Sequence, residues 1–519
     1  MNAQGNAATA AVNRFGLGAR PGDLASVHDP KAWLNAQVSS GPDGGQVFAG
    51  LPSSLDYLSR ESQYKLENRQ FKQQRRVLLG GATNTNDNAQ PLASTDNTQT
   101  RNAKPAEVRE IKREFRDDMM AEAAARYRLA ATTNTPFVER LVHFWSNHFA
   151  VSLDKGPARL YAAPMEREAI RPHVTGRFAD MLLAVETHPA MLRYLDNVQS
   201  IGPDSRVGER VAARLANQGT QNKGKAGGLN ENLGREIMEL HTLGVNGGYS
   251  QADVTELARA ITGWSTPLPR EFGGGGMGGM RGRFAFRRDE NAAKPTSAFV
   301  FRGNAHEPGA RRVMGKTYAE GGVEQGRAIL VDLARHPATA KHLSLKLARH
   351  FVSDDPPQTL VDRMTRSYLD HDTDLAHVYR TLIESPEAWS VAARKFKTPQ
   401  DFVISSLRAG RIDIGDKPQP LLGLLNTMGE PTFTPRSPAG FPDIASNWID
   451  PDALWKRVQA AEALSARVSL ADQQQPLDLA QGVLGPMLDS ETSAAIRRAE
   501  STQVAMATLF AAPAFQWRV

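Results

Sequence analysis

Apolar residues recur at three- and four-residue spacing along most of this chain, a period that predicts helices. From Glu107 to Ala131, Ile111, Phe115, Met119 and Ala123 share one side and charges fill the rest. Thr135-Pro136 starts a second helix running to about Ala150, proline being suited to the first helical position. An N-cap and first-position proline at Asp29-Pro30 start an earlier one. The same period predicts helices near residues 177–186, 189–197, 233–243, 323–335, 338–352, 358–368, 374–385 and 400–409. Ser250-Gln251-Ala252-Asp253 resembles a capping box and opens a helix over 251–262. The best strand candidate is 297–301, expected to pair with residues near Phe284-Ala285-Phe286 in a small hairpin.

Polar and glycine-rich stretches break this pattern. Residues 80–105 are rich in Asn, Thr, Asp and Gln, which predicts a disordered insertion. Residues 202–228 are polar and rich in Gly, Lys and Asn, and 272–296 contain the run Gly273 to Met280; both are expected to be loops, the second a surface loop or a lid. Residues 429–450 are proline-rich and predict an ordered loop wrapped on the surface. The expected fold is therefore mainly α: a large multi-helix, bundle-like architecture with a small β-hairpin and long loop insertions. Its expected divisions are an N-terminal helical region (1–79), the insertion (80–105), a central helical domain (106–270), the Gly-rich loop and hairpin (271–320) and a C-terminal helical domain (321–519).

Composition narrows the functional classes. With no cysteine among 519 residues, disulfides, thiolate zinc sites and cysteine nucleophiles are excluded. A formal net charge of +6 is modest at this length, and no dense basic stripe with interleaved aromatics occurs, so nucleic acid is not expected as a partner. No membrane span and no signal peptide are visible. The expectation is a cytoplasmic protein, or a periplasmic one exported on a signal-bearing partner.

The densest chemistry lies in Asn230 to Gly244, where three carboxylates, two amides, a guanidinium and an imidazole share one helix. At about 100° per residue, Leu233, Ile237, Leu240 and Leu243 form its apolar stripe. Glu236 lies at the edge of that stripe or within it, with Asn232 and Glu239 flanking one side and His241 on the other. A carboxylate on an apolar face must be paired, protonated or metal-bound. Arg235 is spaced to pair with Glu231 and Glu239 as ordinary surface ion pairs. On the helix after Pro136, the same wheel puts His148 amid Phe137, Leu141, Phe144 and Trp145, hence buried, and His143 with Glu139 and Ser146 on the polar, exposed side. His148 reads as a satisfied core histidine or as a ligand or general acid/base. His306-Glu307, in a glycine-bearing turn, reads as a plain turn or a positioned pair.

From these residues we expect a catalytic set of His148, Glu236, Glu239 and His306. Asn232, Arg235, Trp145 and Trp264 would contact substrate, and His148, Glu236 and His306 would hold a divalent metal ion, the only cofactor this donor set suggests. No nucleophile elbow, Walker loop or dinucleotide fingerprint is present.

Several segments together resemble the bacterial domain of unknown function 1800 family, over nearly the whole chain. They are Asn13 to Gly22, Phe144-Trp145-Ser146-Asn147-His148-Phe149, Asn230 to Gly244, Thr262-Gly263-Trp264, Phe301 to Gly315, Met428-Gly429, Pro438 to Pro442 and Ala512 to Gln516. The resemblance implies a mainly helical, often secreted protein encoded beside a sulfatase-like family with export signals. It implies a partner and no reaction. Where family members commonly have His-Asp, this chain has His306-Glu307, and where many have Phe it has His241. Two functions follow: a metal-dependent hydrolase or oxidoreductase with a His/Glu site between helices, or a non-enzymatic binding or export partner of a secreted sulfatase-like protein.

Overall fold

The computed structural model describes residues 3–80, 106–218, 228–272, 295–390, 393–470 and 474–519. Helices dominate, and the strands among the described residues form three two-stranded antiparallel sheets. The insertion expected over 80–105, the Gly-rich run and Phe284–Phe286 fall largely or wholly outside these residues. No helix among the described residues is long and apolar enough to cross a membrane.

Local sequence explains most helix starts. Thr135 precedes Pro136, and Pro136–His148 follows as a helix. Ser250 and Asp253 form the reciprocal capping box, each side chain accepting from the other's backbone N–H. Asp29, Asp374, Thr398, Asp450 and Ser501 each accept a backbone N–H at the start of their helices.

Two expectations change. The stretch 202–228 is not all loop: Arg206–Gln218 is a helix, with Val207, Val211 and Leu215 repeating every four residues and Ser205 Oγ accepting from Gly208 N. Composition hid this short amphipathic pattern. The strand Val300–Phe301 exists, but it pairs with Trp264–Ser265. A hairpin follows at Arg311–Val313 and Lys316–Tyr318, turned at Met314 and Gly315, both with positive φ, the geometry that suits strand twist in a two-residue turn.

One continuous apolar cluster draws in residues from Ala8 to Phe515. At its middle lies the helix Pro136–His148, with Phe137, Val138, Leu141, Val142 and Trp145 fully buried. Burying each such side chain contributes about 1.5–3 kcal/mol. The Trp145 indole donates to Tyr379 Oη (2.7 Å), which donates to the Val174 carbonyl (2.9 Å), so the polar edge of this core aromatic is satisfied. The helix is covered on its polar side too. The loop 429–450 returns across it, and the Asn147 amide grips Phe441 at both carbonyl (2.9 Å) and N–H (2.7 Å). Gly440 can be no other residue here without movement: its φ is +83° and a Cβ would lie 2.3 Å from the Asn147 carbonyl oxygen.

Candidate active site

Between the helices Pro136–His148 and Pro337–Phe351 and the loop 429–450 lies a cavity of about 340 Å³. The first helix contributes Arg140, His143, Asn147 and His148 to its wall, the second Lys346, Arg349 and His350, and the loop Glu430, Phe433, Phe441 and Asp443. Arg126 and Asp401 close it from two further helices. His350 lies four residues from Lys346, and His342 four residues the other way, so all three share one face of their helix.

The helix side expected to face solvent is this wall. His143 is buried, 3.4 Å from Glu139, contrary to its expected exposure. The wheel found one apolar stripe but could not see a second layer of charge packed on the opposite side. Glu139 is fully enclosed and pairs with both terminal nitrogens of Arg171 (2.6 and 2.8 Å), which hold its carboxyl well below the usual range despite burial. Arg126 Nε meets both oxygens of Glu166, and Arg140 donates to Asp401 at 2.7 Å.

Two of the three acids on the wall are answered by cations. Asp401 has Arg140 and Arg518; Asp443 accepts from His350 Nδ1 (2.9 Å) and lies by Lys395 and Arg518. The remaining acid, Glu430, is buried, and desolvation, with Asp401 adding to it, pushes its carboxyl up to about 7. Lys346 and Arg349, by contrast, have no carboxylate within ion-pair distance among the described residues. The cavity therefore presents excess positive charge at Lys346 and Arg349 and is also lined by Phe144, Phe433 and Phe441.

His148 is held from both ring nitrogens. Nε2 lies 3.1 Å from the His241 carbonyl, so it carries the proton and donates; Nδ1, 2.8 Å from Lys346 Nζ, is left to accept. Burial, with Lys346 beside it, keeps this imidazole neutral, well below its ordinary value. Lys346 is half-buried on the cavity wall, and burial, with Arg349 adding to it, pulls its ammonium down to about 8; Asp443 opposes. Burial and Lys346 lower His342 to about 4.

The predicted residues divide sharply. His148 lies on the cavity wall and touches the Asn-Glu-Asn helix, through the His241 backbone carbonyl. Glu236 is half-buried outside the wall, with no hydrogen bond or ion pair to it among the described residues, and burial raises its carboxyl. Glu239 accepts only a long bond from Tyr249 Oη (3.5 Å), Arg235 pairs with Glu231 (3.4 Å), and Asn232 is exposed. His306 is buried elsewhere, Nδ1 donating to the Thr262 carbonyl (3.0 Å) with its ring on Phe301; Glu307 accepts from Asp204 N and fixes the neighbouring turn. Trp145 and Trp264 are fully buried core residues, the second packed on Phe299.

The expected metal ligands His148, Glu236 and His306 do not come together: among the described residues, no three or more His, Asp or Glu side chains are placed to share a metal ion. The cause is local. After Asn232–Glu236 the chain widens into one π-helical turn, Ile237–His241, closed by Thr242 Oγ1 on the Ile237 carbonyl. Leu233, Ile237 and His241 are all buried, so the imidazole goes in; Glu236, which precedes the turn, is half-buried. His241 is completely buried, Nδ1 donating to Glu186 Oε1 at 2.8 Å.

Sequence reasoning missed Lys346, Arg349, Glu430 and Asp443. A signal existed for the first: His342, Lys346 and His350 repeat every four residues on a helix that also carries the apolar repeat Leu343, Leu347 and Phe351.

A helical protein with a cationic cavity is thus the class that fold and site define. The chain belongs to the family described as protein of unknown function (DUF1800), whose model matches residues 10–517. No curated protein and no solved structure matches it.

Proposed function

We propose that this protein is an enzyme that binds a small anionic organic molecule in the cavity and moves a proton within it. Lys346 and His148 are the acid–base pair, and Arg349 with Lys346 attracts the anion. The observation that carries the reading is the Lys346 Nζ to His148 Nδ1 bond of 2.8 Å at the cavity wall, with no carboxylate tied to the amine. An amine titrating near 8 exchanges its proton close to neutral pH, which suits general acid–base work. Metal-assisted hydrolysis or oxidation through Glu236 and His306 finds no support in their positions, since neither lines the cavity.

Calorimetric titration with phosphate, sulfate, 2-oxo acids and aromatic carboxylates tests the proposal. At least one should bind, and Arg349→Ala and Lys346→Met should each weaken it by about tenfold or more, the cost of removing one charged hydrogen bond. Affinity unchanged in both variants would refute it.

A second reading, a non-enzymatic partner of a sulfatase-like protein, is supported by one surface. Leu454, Trp455 and Val458 lie on one side of the helix Pro451–Ser465, and Trp455 is 61% exposed. Loss of co-purification with such a protein on Trp455→Ser is its test.

A further inference from the structure

We propose that Lys346 is a carbonyl-condensing amine, and that the cavity takes a small aldehyde or ketone bearing an anionic group. This rests on the cavity being a ligand site, as argued above, and goes further by naming the reacting atom and the substrate class.

Three observations carry it. First, Lys346 lines the cavity and the acceptor of its amine is a neutral ring nitrogen, so it can lose a proton without breaking an ion pair. The other buried lysines differ. Lys395 is held by Asp354 and the Asp443 carbonyl, and Lys397 bonds Ser405 and covers the Phe515 ring. Neither lines this cavity. Second, the acceptor cannot turn away, because the His241 carbonyl holds its other nitrogen. Third, Arg349 sits three residues from Lys346 with its Nε on the Asp354 carbonyl and no carboxylate partner among the described residues, leaving it to meet an anion beside the amine. The groups around the amine are His148, His342, Arg349, His350 and Asp443, the last already answered by His350, Lys395 and Arg518.

The step balances within these groups. The Lys346 nitrogen lone pair adds to the carbonyl carbon, and the C=O π pair moves to oxygen. The adduct nitrogen passes one proton through His148 Nδ1 to that oxygen, giving a neutral carbinolamine. The nitrogen lone pair then expels the hydroxyl, which takes the second nitrogen proton by the same relay and leaves as water, so His148 ends neutral. Amine and carbonyl become imine and water, with nothing oxidised or reduced.

The test treats the full-length protein with pyridoxal 5′-phosphate, an aldehyde carrying a phosphate, and with glyoxylate, followed by cyanoborohydride and peptide mass mapping from pH 6 to 10. We expect the reduced adduct on Lys346 about tenfold or more ahead of exposed lysines such as Lys31 near neutral pH, because lowered basicity leaves more free amine while costing some nucleophilicity. Its yield should rise around pH 8. Glyoxylate should compete with the aldehyde probe, and Lys346→Arg should remove the adduct. Label distributed by exposure alone, with Lys346 no faster than Lys31, overturns the proposal. If anions still bind in an Arg349-dependent manner in that case, the cavity reading stands and only the imine falls; if neither occurs, both fall. Mapping is done on the wild-type chain, so the comparison of Lys346 with Lys31 holds even where a variant folds poorly.

Discussion

Replacing Lys346 by Met should make this protein more stable at neutral pH. The ammonium titrates at about 8 in the folded chain against 10.5 for a free lysine. Below pH 8 the folded protein therefore carries a charge it solvates poorly. Between pH 8 and 10.5 the unfolded chain binds that proton and the folded one does not, so wild-type stability rises with pH across this window. The difference amounts to about 3 kcal/mol at about 1.4 kcal/mol per pH unit, a ceiling because Lys346 is only half-buried. Methionine has similar length and no charge, so it escapes this cost. It also leaves His148 Nδ1 without a donor, which costs about 1 kcal/mol. The net gain should be about 2 kcal/mol at pH 7, fall to about 1 kcal/mol at pH 9, vanish near pH 10, and reverse by about pH 10.5. Urea unfolding of both proteins at pH 7, 9 and 10.5 measures it, and other titrating groups cancel in the comparison. A variant less stable at pH 7, or an advantage that persists unchanged to pH 10.5, would show that the amine is not strained by burial. A gain would instead mark Lys346 as a residue kept at the expense of stability, as reactive groups commonly are.

Four further outcomes follow from other residues. Glu430→Gln should stabilise by up to about 3 kcal/mol above pH 7 and change nothing below pH 4, since its raised carboxyl is costly only when ionised; paired thermal melts across pH check the sign. Glu139→Gln strands Arg171 in the core and should cost about 3–5 kcal/mol, read by urea titration. Gly440→Ala should push the loop 429–450 off Asn147 and abolish ligand binding at the cavity while most helical circular dichroism remains. Glu236→Ala should cost less than about 1 kcal/mol, because no buried pair is broken; a loss of several would mean that this carboxylate has a partner within the fold.

Helices were legible wherever cap, proline and period agreed, as at Pro136 and Ser250. The burial of His148 was also legible, because its neighbours at three and four residues are aromatic. The site around it was not. Period finds the side of a helix that meets apolar neighbours and says nothing about a second side covered by charge, which is why His143 was expected in solvent. At the Asn-Glu-Asn helix the failure was one of count: a single π turn, Ile237–His241, changes the spacing within it, and His241 lies inward with Leu233 and Ile237. Lys346 and Asp443 come to one cavity only through tertiary folding, and beyond the His342, Lys346, His350 repeat no spacing within one segment announces them.

The cavity wall begins at Arg126 and ends at Ile444, and behind it Arg518 supplies charge to Asp401 and Asp443. Dissecting this protein into shorter expressible pieces is therefore a poor route to its chemistry. Any cut between those positions separates walls of one chamber, and a piece ending before the strand Trp517–Arg518 leaves two acids short of a counter-ion. Ligand screens belong on the entire polypeptide.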